Sequence, residues 1–295
     1  MNFTFSPPIP RSFGTHDGTF HADEVTACAL LLTWNCIDRD KIVRSRDMHI
    51  LASCEYVCDV GGIYDPKKKR FDHHQQDYQG ELSSAGMVWK YLKESGYISE
   101  GLYHFFNRSL ILGVDAQDTG RIELETGVCS FSGVIANFIP PSYTNSSEEI
   151  EKAFFQALDF TCAHLARLKE RYTVIQSHRL LVQKAMEGRH SLLVFDTPIP
   201  WQELFFELGG EHHPAQFVIM PAGEHWKLRG IPPNMKEKMK VRLPLPAKWA
   251  GLMDKDLEKI TGIKGAVFCH KGGFISVWET QQAAIEAAEK VLKKK

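Results

Sequence analysis

The chain has 295 residues, and its 35 Lys and Arg against 36 Asp and Glu give a formal charge of −1, so global charge does not advertise a polyanion-binding protein. That length suits two moderate domains, and 43% hydrophobic residues exclude disorder along the whole chain. No apolar run approaches the roughly 20 residues of a membrane span, and Met1 to Pro10 lacks the basic start and apolar core of a secretory signal, so a soluble intracellular protein is expected.

The first elements read as alternating strands and helices. Residues 12–15 finish a strand, Gly14 and Gly18 mark turns, and residues 22–34 have the apolar spacing of a helix packed on a sheet. Residues 41–44, 56–60 and 69–71 read as short strands, and 85–93 and 102–113 as helices. This order predicts an α/β domain with a mainly parallel sheet, whose ligands gather beyond the strand ends.

Five of the 13 histidines fall in the first 74 residues, and four of those lie in this domain's element-end segments: His16 and His21 in Gly14 to Glu24, and His73 and His74 in Asp72-His73-His74. Asp23, Asp59 and Asp115 also stand near predicted element ends. Imidazole nitrogen mixed with carboxylate oxygen suits divalent metals, manganese or magnesium where carboxylates dominate. Each segment alone also reads as a polar turn or helix cap closed by side-chain bonds to the backbone. Asp118, followed by Thr119-Gly120, has turn character, which makes Asp115 the preferred ligand of the pair.

Residues 139–147, rich in Pro and small polar side chains, read as a surface loop, with Ser146 or Ser147 capping a helix from Glu148 to about Glu187. Strands follow at 191–195, 216–220 and 266–269, and Thr280 caps a last helix through Leu292. The expected division is a metal-binding domain at 1–145, a connecting helical segment at 146–189 and a smaller α/β substrate-binding domain at 190–295. The seven cysteines show no CxxC pair and read as reduced, packed thiols.

Two basic clusters precede or follow these elements. Lys67-Lys68-Lys69-Arg70 leads into Asp72 and reads as a phosphate guide, with Lys68 and Arg70 as substrate contacts, or as a solvated edge that resists pairing. Lys227, Arg229, Lys236, Lys238, Lys240 and Arg242 follow Trp226, which either stacks on a base or packs in the core. Lys271, in His270-Lys271-Gly272-Gly273, belongs to a phosphate loop or a tight hairpin, and Glu211-His212-His213-Pro214 to a further contact turn.

His21-Ala22-Asp23, Asp59, Asp72-His73-His74 and Asp115 resemble, in order, the four motifs of the DHH phosphoesterase superfamily. Gly14 to Glu24 and Val114 to Gly120 more narrowly resemble the melanocyte-proliferating-gene protein family, over essentially the whole chain. The resemblance implies a DHH-type domain with two manganese or magnesium ions, held by His16, His21, Asp23, Asp59, His73 and Asp115. Asp72 supports the third motif, and His74 lies nearer the substrate. His21 stands where an Asp is common, which favours a transition metal over magnesium.

The function so implied is a metal-dependent phosphodiesterase, a 3′-to-5′ exoribonuclease on single-stranded RNA. Hydrolysis of dinucleotides or pyrophosphate, and non-catalytic nucleic-acid binding, are the alternatives. Cytoplasm or nucleus is the expected compartment, with a mitochondrion implied only by the resemblance and no targeting helix in the first ten residues. No membrane is expected as a partner, and a homodimer is left open.

Overall fold

The computed structural model describes residues 7–142, 144–238 and 240–293. Met1 to Ser6, at the start of the stretch read for targeting, and Tyr143, in the expected surface loop, lie outside the described residues. The chain divides into two compact units, Met1–Tyr172 and Thr173–Lys295.

The first unit is built on a five-stranded sheet. In chain order its elements are β1 (Ile9–Thr15), α1 (Ala22–Thr33), β2 (Ile42–Arg44), α2 (Met48–Ala52), β3 (Cys54–Cys58), β4 (Tyr64–Asp65), β5 (Arg70–Phe71), α3 (Ser84–Glu94) and α4 (Glu100–Phe106). A π-helical turn at Asn107–Ile111 then leads into α5 (Leu112–Asp118), followed by α6 (Phe131–Ala136) and α7 (Ser147–Ser177). The strand order is β2-β1-β3-β5-β4, with β1 parallel to β2 and β3, β3 parallel to β5, and only β4 antiparallel. The mainly parallel α/β architecture expected from the sequence is therefore present.

Parallel pairing has a direct consequence for the site. The carboxyl ends of β1, β3 and β5 lie on one edge of the sheet, so His16, Asp59 and Asp72, each the first residue past its strand, emerge together. Phe13, Tyr56 and Phe71 on the strands, Leu30 on α1 and Trp89 on α3 are buried beneath them. Each such side chain contributes about 1.5–3 kcal/mol by leaving water. Close packing also fixes Gly14 on β1, because an added Cβ would lie 2.8 Å from Leu51 Cδ2.

The helix expected at 102–113 is different in the structure. The π turn inserts a residue into the ladder, and helical geometry resumes through Asp118. Asp115 and Asp118 thus sit three residues apart on one helix face rather than on a turn.

The second unit begins within the helical run, which breaks at His178 between α7 and α8 (Arg179–Glu187). It continues with β6 (Leu192–Val194), α9 (Trp201–Glu207), β7 (Phe217–Ala222), β8 (His225–Gly230), α10 (Asp254–Thr261), β9 (Ala266–Cys269), β10 (Ile275–Trp278) and α11 (Gln281–Leu292). Its sheet, ordered β6-β7-β8-β10-β9, is parallel only at β6-β7. Thr280 caps α11, its side chain accepting from the Ala283 amide at 3.1 Å, and the small Ala284, Ala287 and Ala288 let α11 pack closely into the core beneath the sheet.

Candidate metal centre

At the amino end of α1, Asp23 and Glu24 occupy the first turn, where the helix dipole favours negative charge. The Glu24 carboxylate accepts from the His21 amide at 2.9 and 3.0 Å, which orders the turn. His16 donates from Nδ1 to the Asp17 carbonyl at 3.0 Å, and this leaves Nε2 to face Glu24 Oε1 at 3.1 Å and Asp59 Oδ2 at 3.4 Å.

Asp59 follows β3 with φ at 57°, a left-handed conformation uncommon outside Gly, and the turn continues through Gly61 and Gly62. This turn brings the Asp59 carboxylate among three imidazoles. Its Oδ1 lies 3.4 Å from His73 Nε2 and 3.4 Å from His74 Nδ1. His73 Nε2 also lies 3.0 Å from Asp118 Oδ2 and 3.8 Å from Asp23 Oδ2. Asp72 stands behind, accepting from the Gly62 amide, from the His74 amide at 3.1 Å and from His74 Nδ1 at 2.8 Å.

Three overlapping sets of metal-type donors result: His16, His21, Glu24 and Asp59; Asp59, His73 and His74; and Asp23, His73 and Asp118. Asp59 belongs to two sets and His73 to two. Around an octahedral ion with bonds of about 2.1 Å, adjacent donors sit about 3.0 Å apart, close to the shorter separations here. Asp59 Oδ1 and His73 Nε2 are buried and, although His73 Nε2 faces Asp118 at 3.0 Å and Asp59 at 3.4 Å, neither makes an aligned hydrogen bond, and a cation between the donors would satisfy both. Donor chemistry, spacing and unsatisfied atoms all fit divalent cations.

The electrostatics agree. Burial alone would lower the His16 and His73 pKa values, yet the facing carboxylates override it and raise both to about 10: Asp59 and Glu24 for His16, Asp118 and Asp59 for His73. Burial would raise the Asp59 carboxyl, but His16 and His73 hold it down to about 2. Asp23 is pushed up by burial, then by Asp59 and Asp118. Four carboxylates around two imidazoles make a strong trap for positive charge, whether proton or metal.

Asp115, expected from the sequence as a metal ligand, lies outside the three donor sets, although its Oδ2 is buried without a hydrogen-bond partner. Its Oδ1 accepts from the Ser83 amide at 3.1 Å, Ser83 Oγ at 2.8 Å and the Gly86 amide at 3.0 Å. Asp23 accepts from the next amides, Ser84 at 2.9 Å and Ala85 at 2.6 Å. Together the two acids satisfy the four amides that open α3, groups that have no partner within the helix. Gly86 is required beneath Asp115, since a Cβ there would lie 2.2 Å from Asp115 Oδ2. Burial raises the Asp115 carboxyl to about 6, and Asp118, one turn later, is the acid of α5 that faces His73.

Sequence reasoning therefore missed Glu24 and Asp118 as donors. The signals were an acid three residues after the helix-opening His21, and a helical period that continues past Gly113 to place Asp118 beside Asp115.

The first basic run does not adjoin the centre. It enters β5 from the edge opposite Asp72, and Arg70 donates to the Cys54 and Glu55 carbonyls at 3.1 and 3.0 Å, at the start of β3. Lys69 pairs with Glu55, and Lys68 lies 3.4 Å from Asp65. Arg70 is thus a brace of the sheet and not a phosphate contact, because β5 runs parallel to β3 and puts its preceding residues at the far edge. In the second unit Trp226 packs partly buried against the core, and Lys271 occupies the exposed turn of the β9–β10 hairpin. The buried His213 holds the Met186 carbonyl through Nε2 at 2.9 Å and accepts from the Ala215 amide.

Comparison with known proteins adds the family. Residues 12–292 match the family described as "Uncharacterised protein family (UPF0160)", MYG1_exonuc. An MYG1 protein of Chlamydia pneumoniae is 52% identical over 279 residues, covering 95% of this chain and 96% of that protein. The human protein named MYG1 exonuclease is 31% identical over 326 residues, covering 96% of this chain and 86% of its own. Among solved structures, RecJ of Thermus thermophilus in complex with Mn2+ aligns with a TM-score of 0.30 and 12% identity over 96% of this chain, which spans about half of the RecJ chain (52%).

Proposed function

The chain belongs to the MYG1 family (UPF0160), and on that premise we propose that it is a divalent-metal-dependent phosphodiesterase, a 3′-to-5′ exoribonuclease acting on single-stranded RNA. The observation that carries this reading is the sharing of Asp59 and His73 among three donor sets within one edge of the sheet. Shared ligands hold two ions close together, the arrangement used for phosphodiester hydrolysis. The name MYG1 exonuclease carried by the mammalian relatives supports the same reading, as does the resemblance of the motif order to DHH phosphoesterases.

In this reading His16, His21, Glu24 and Asp59 would hold one ion and Asp23, His73 and Asp118 the other, with Asp59 between the two sets, 3.4 Å from both His16 Nε2 and His73 Nε2. Manganese or magnesium held there would supply Lewis acidity and an acidified water. Asp59 balances both sites, its backbone strain holding the carboxylate between the imidazoles. Asp72, hydrogen-bonded to His74 Nδ1, orients that exposed ring and leaves Nε2 to meet a phosphate oxygen or the leaving oxygen. Gly18, Gly61 and Gly62 line the cleft of about 670 Å³ beside His16, Asp59 and His74, and keep it free of bulky side chains.

The test is a manganese-supplemented assay comparing 5′- and 3′-labelled single-stranded RNA, single-stranded DNA, dinucleotides and pyrophosphate. A ladder shortening from the 3′ end of RNA is expected. Turnover of pyrophosphate or dinucleotides without cleavage of RNA would replace this reading with a small-substrate phosphohydrolase.

A further inference from the structure

A phosphate chain approaching the metal cleft meets the exposed Asp17 and, deeper in the lining, the buried acids Asp59 and Asp72. Among the described residues lining this cleft, Arg46 is the one Arg or Lys. The basic run at Lys67 to Arg70 enters at the opposite edge of the sheet and cannot serve in its place.

Arg46 stands in a fixed segment just past β2, whose carboxyl end lies on the same edge as those of β1 and β3. The Ser45 amide donates to the Thr15 carbonyl at 2.8 Å, and the Asp47 amide to Ser45 Oγ at 3.0 Å. The neighbouring Arg44 has a different part. Its side chain is 2% exposed, and its guanidinium holds the Gly18 carbonyl at 2.6 Å and Glu151 at 3.2 Å, so it braces the loop that carries Asp17. The Arg46 side chain is 67% exposed and reaches Asp17 at 3.4 Å, which is itself 56% exposed. A pair so exposed to water is weak and exchanges readily.

The same cleft has an open wall. Gly18 and Gly62 have φ of 78° and 65°, and an added Cβ at either would meet nothing within 4 Å. A sugar-phosphate backbone can therefore pass close to the protein main chain beside Arg46. A guanidinium offers two parallel N–H donors to a phosphate, a stronger match than its single long contact with Asp17.

We propose that Arg46 anchors a backbone phosphate of the nucleic acid at the mouth of the metal cleft, and that Asp17 occupies the guanidinium until the phosphate displaces it. The inference rests on the nuclease reading and adds the residue that grips the chain next to the reacting phosphate. Asp17 thereby sets how readily the anchor is released, and a neutral side chain at that position frees it.

The experiment measures binding of a fluorescein-labelled, phosphorothioate-linked single-stranded oligoribonucleotide to the full chain with manganese, across a salt series. Wild type is compared with Arg46→Ala, Arg46→Lys and Asp17→Asn. Arg46→Ala weakens binding about tenfold and lowers the slope of log Kd against log salt by about 0.7, the loss of one single-strand phosphate contact. Arg46→Lys keeps that slope while recovering only part of the affinity, and Asp17→Asn tightens binding about two- to threefold unless Arg46 is also replaced. Manganese affinity and Tm stay at wild-type values in all three, which separates anchoring from a structural effect. Equal affinity and slope in wild type and Arg46→Ala, or no oligonucleotide binding by the wild type, would overturn the inference. Arg46-dependent binding without cleavage of the unmodified RNA would instead overturn the nuclease reading and leave the anchor standing.

Discussion

The two units treat their buried charges in opposite ways. At the carboxyl edge of the first sheet, acids and imidazoles face one another, and Asp59 Oδ1 and His73 Nε2 make no aligned hydrogen bond. In the second unit the half-buried Arg242 guanidinium donates to the His213, Ala215, Gly210 and Pro232 carbonyls at 2.7–3.1 Å and lies over the Phe205 ring. One arrangement gathers metal-type donors around a common space, and the other closes on backbone carbonyls. Clustered charge in a sequence therefore does not by itself mark a binding surface; what the charged groups face, one another in the first unit and backbone carbonyls around Arg242, separates the two.

Substitution should split the two regions cleanly. Asp59→Asn keeps the shape of the side chain but removes the charge shared by two donor sets, so metal-dependent turnover should fall roughly 10²–10³-fold with little change in Tm. Turnover within about threefold of wild type would dissolve the distinction. Arg242→Ala should do the reverse, leaving several carbonyls unsatisfied at a cost of about 2–4 kcal/mol, visible in chemical denaturation, while turnover per folded molecule is unchanged.

Asp115 joins the two behaviours within the first unit. Asp115→Ala strips acceptors from the Ser83 and Gly86 amides, and a loss of about 2–3 kcal/mol is expected. Gly86→Ala should destabilise as well, by forcing a methyl against the same carboxylate. A fully stable Asp115→Ala protein would show that α3 does not depend on its acidic clamp.

The pH response sharpens the comparison further. His16 and His73 titrate at about 10 in the folded, metal-free chain against about 6.5 when unfolded. Their protonation thus stabilises the metal-free fold fully below pH ~6.5, and this contribution is lost as pH rises through about 10. Metal must displace those protons, so apparent manganese affinity should rise with pH, by up to about tenfold per unit for each proton released. Calorimetry in buffers of different ionisation enthalpy counts the protons, and pH-independent affinity would contradict the cluster's electrostatics. The smallest effect belongs to Lys68→Ala, where stability should stay within about 0.5 kcal/mol and turnover within about twofold, because this exposed side chain lies at the edge away from the metals.

Much of this was legible in the sequence because strand ends are marked locally. The apolar stretches before Asp59 and Asp72, and the turn after β1, place their polar residues on one sheet edge once the strands are parallel. Other features depended on contacts that no local pattern records. The helix continues through α5 past Gly113, which puts Asp118 on a helix face with Asp115 and toward His73. The direction of β5 carries the basic run away from the centre, and Arg46, isolated between Ser45 and Asp47, offers no cluster to notice. In the second unit the charged Lys227 and Arg229 disguise β8 in the sequence, although its pairing with β7 and β10 puts it in mid-sheet.

The most direct test of the central claim is an anomalous difference map from crystals of the full chain grown with manganese. Two peaks are predicted in the first unit, about 3.5–4 Å apart and bridged by Asp59, one beside His16, His21 and Glu24 and the other beside Asp23, His73 and Asp118. No peak at this edge, or an ion bound away from Asp59, would contradict the account.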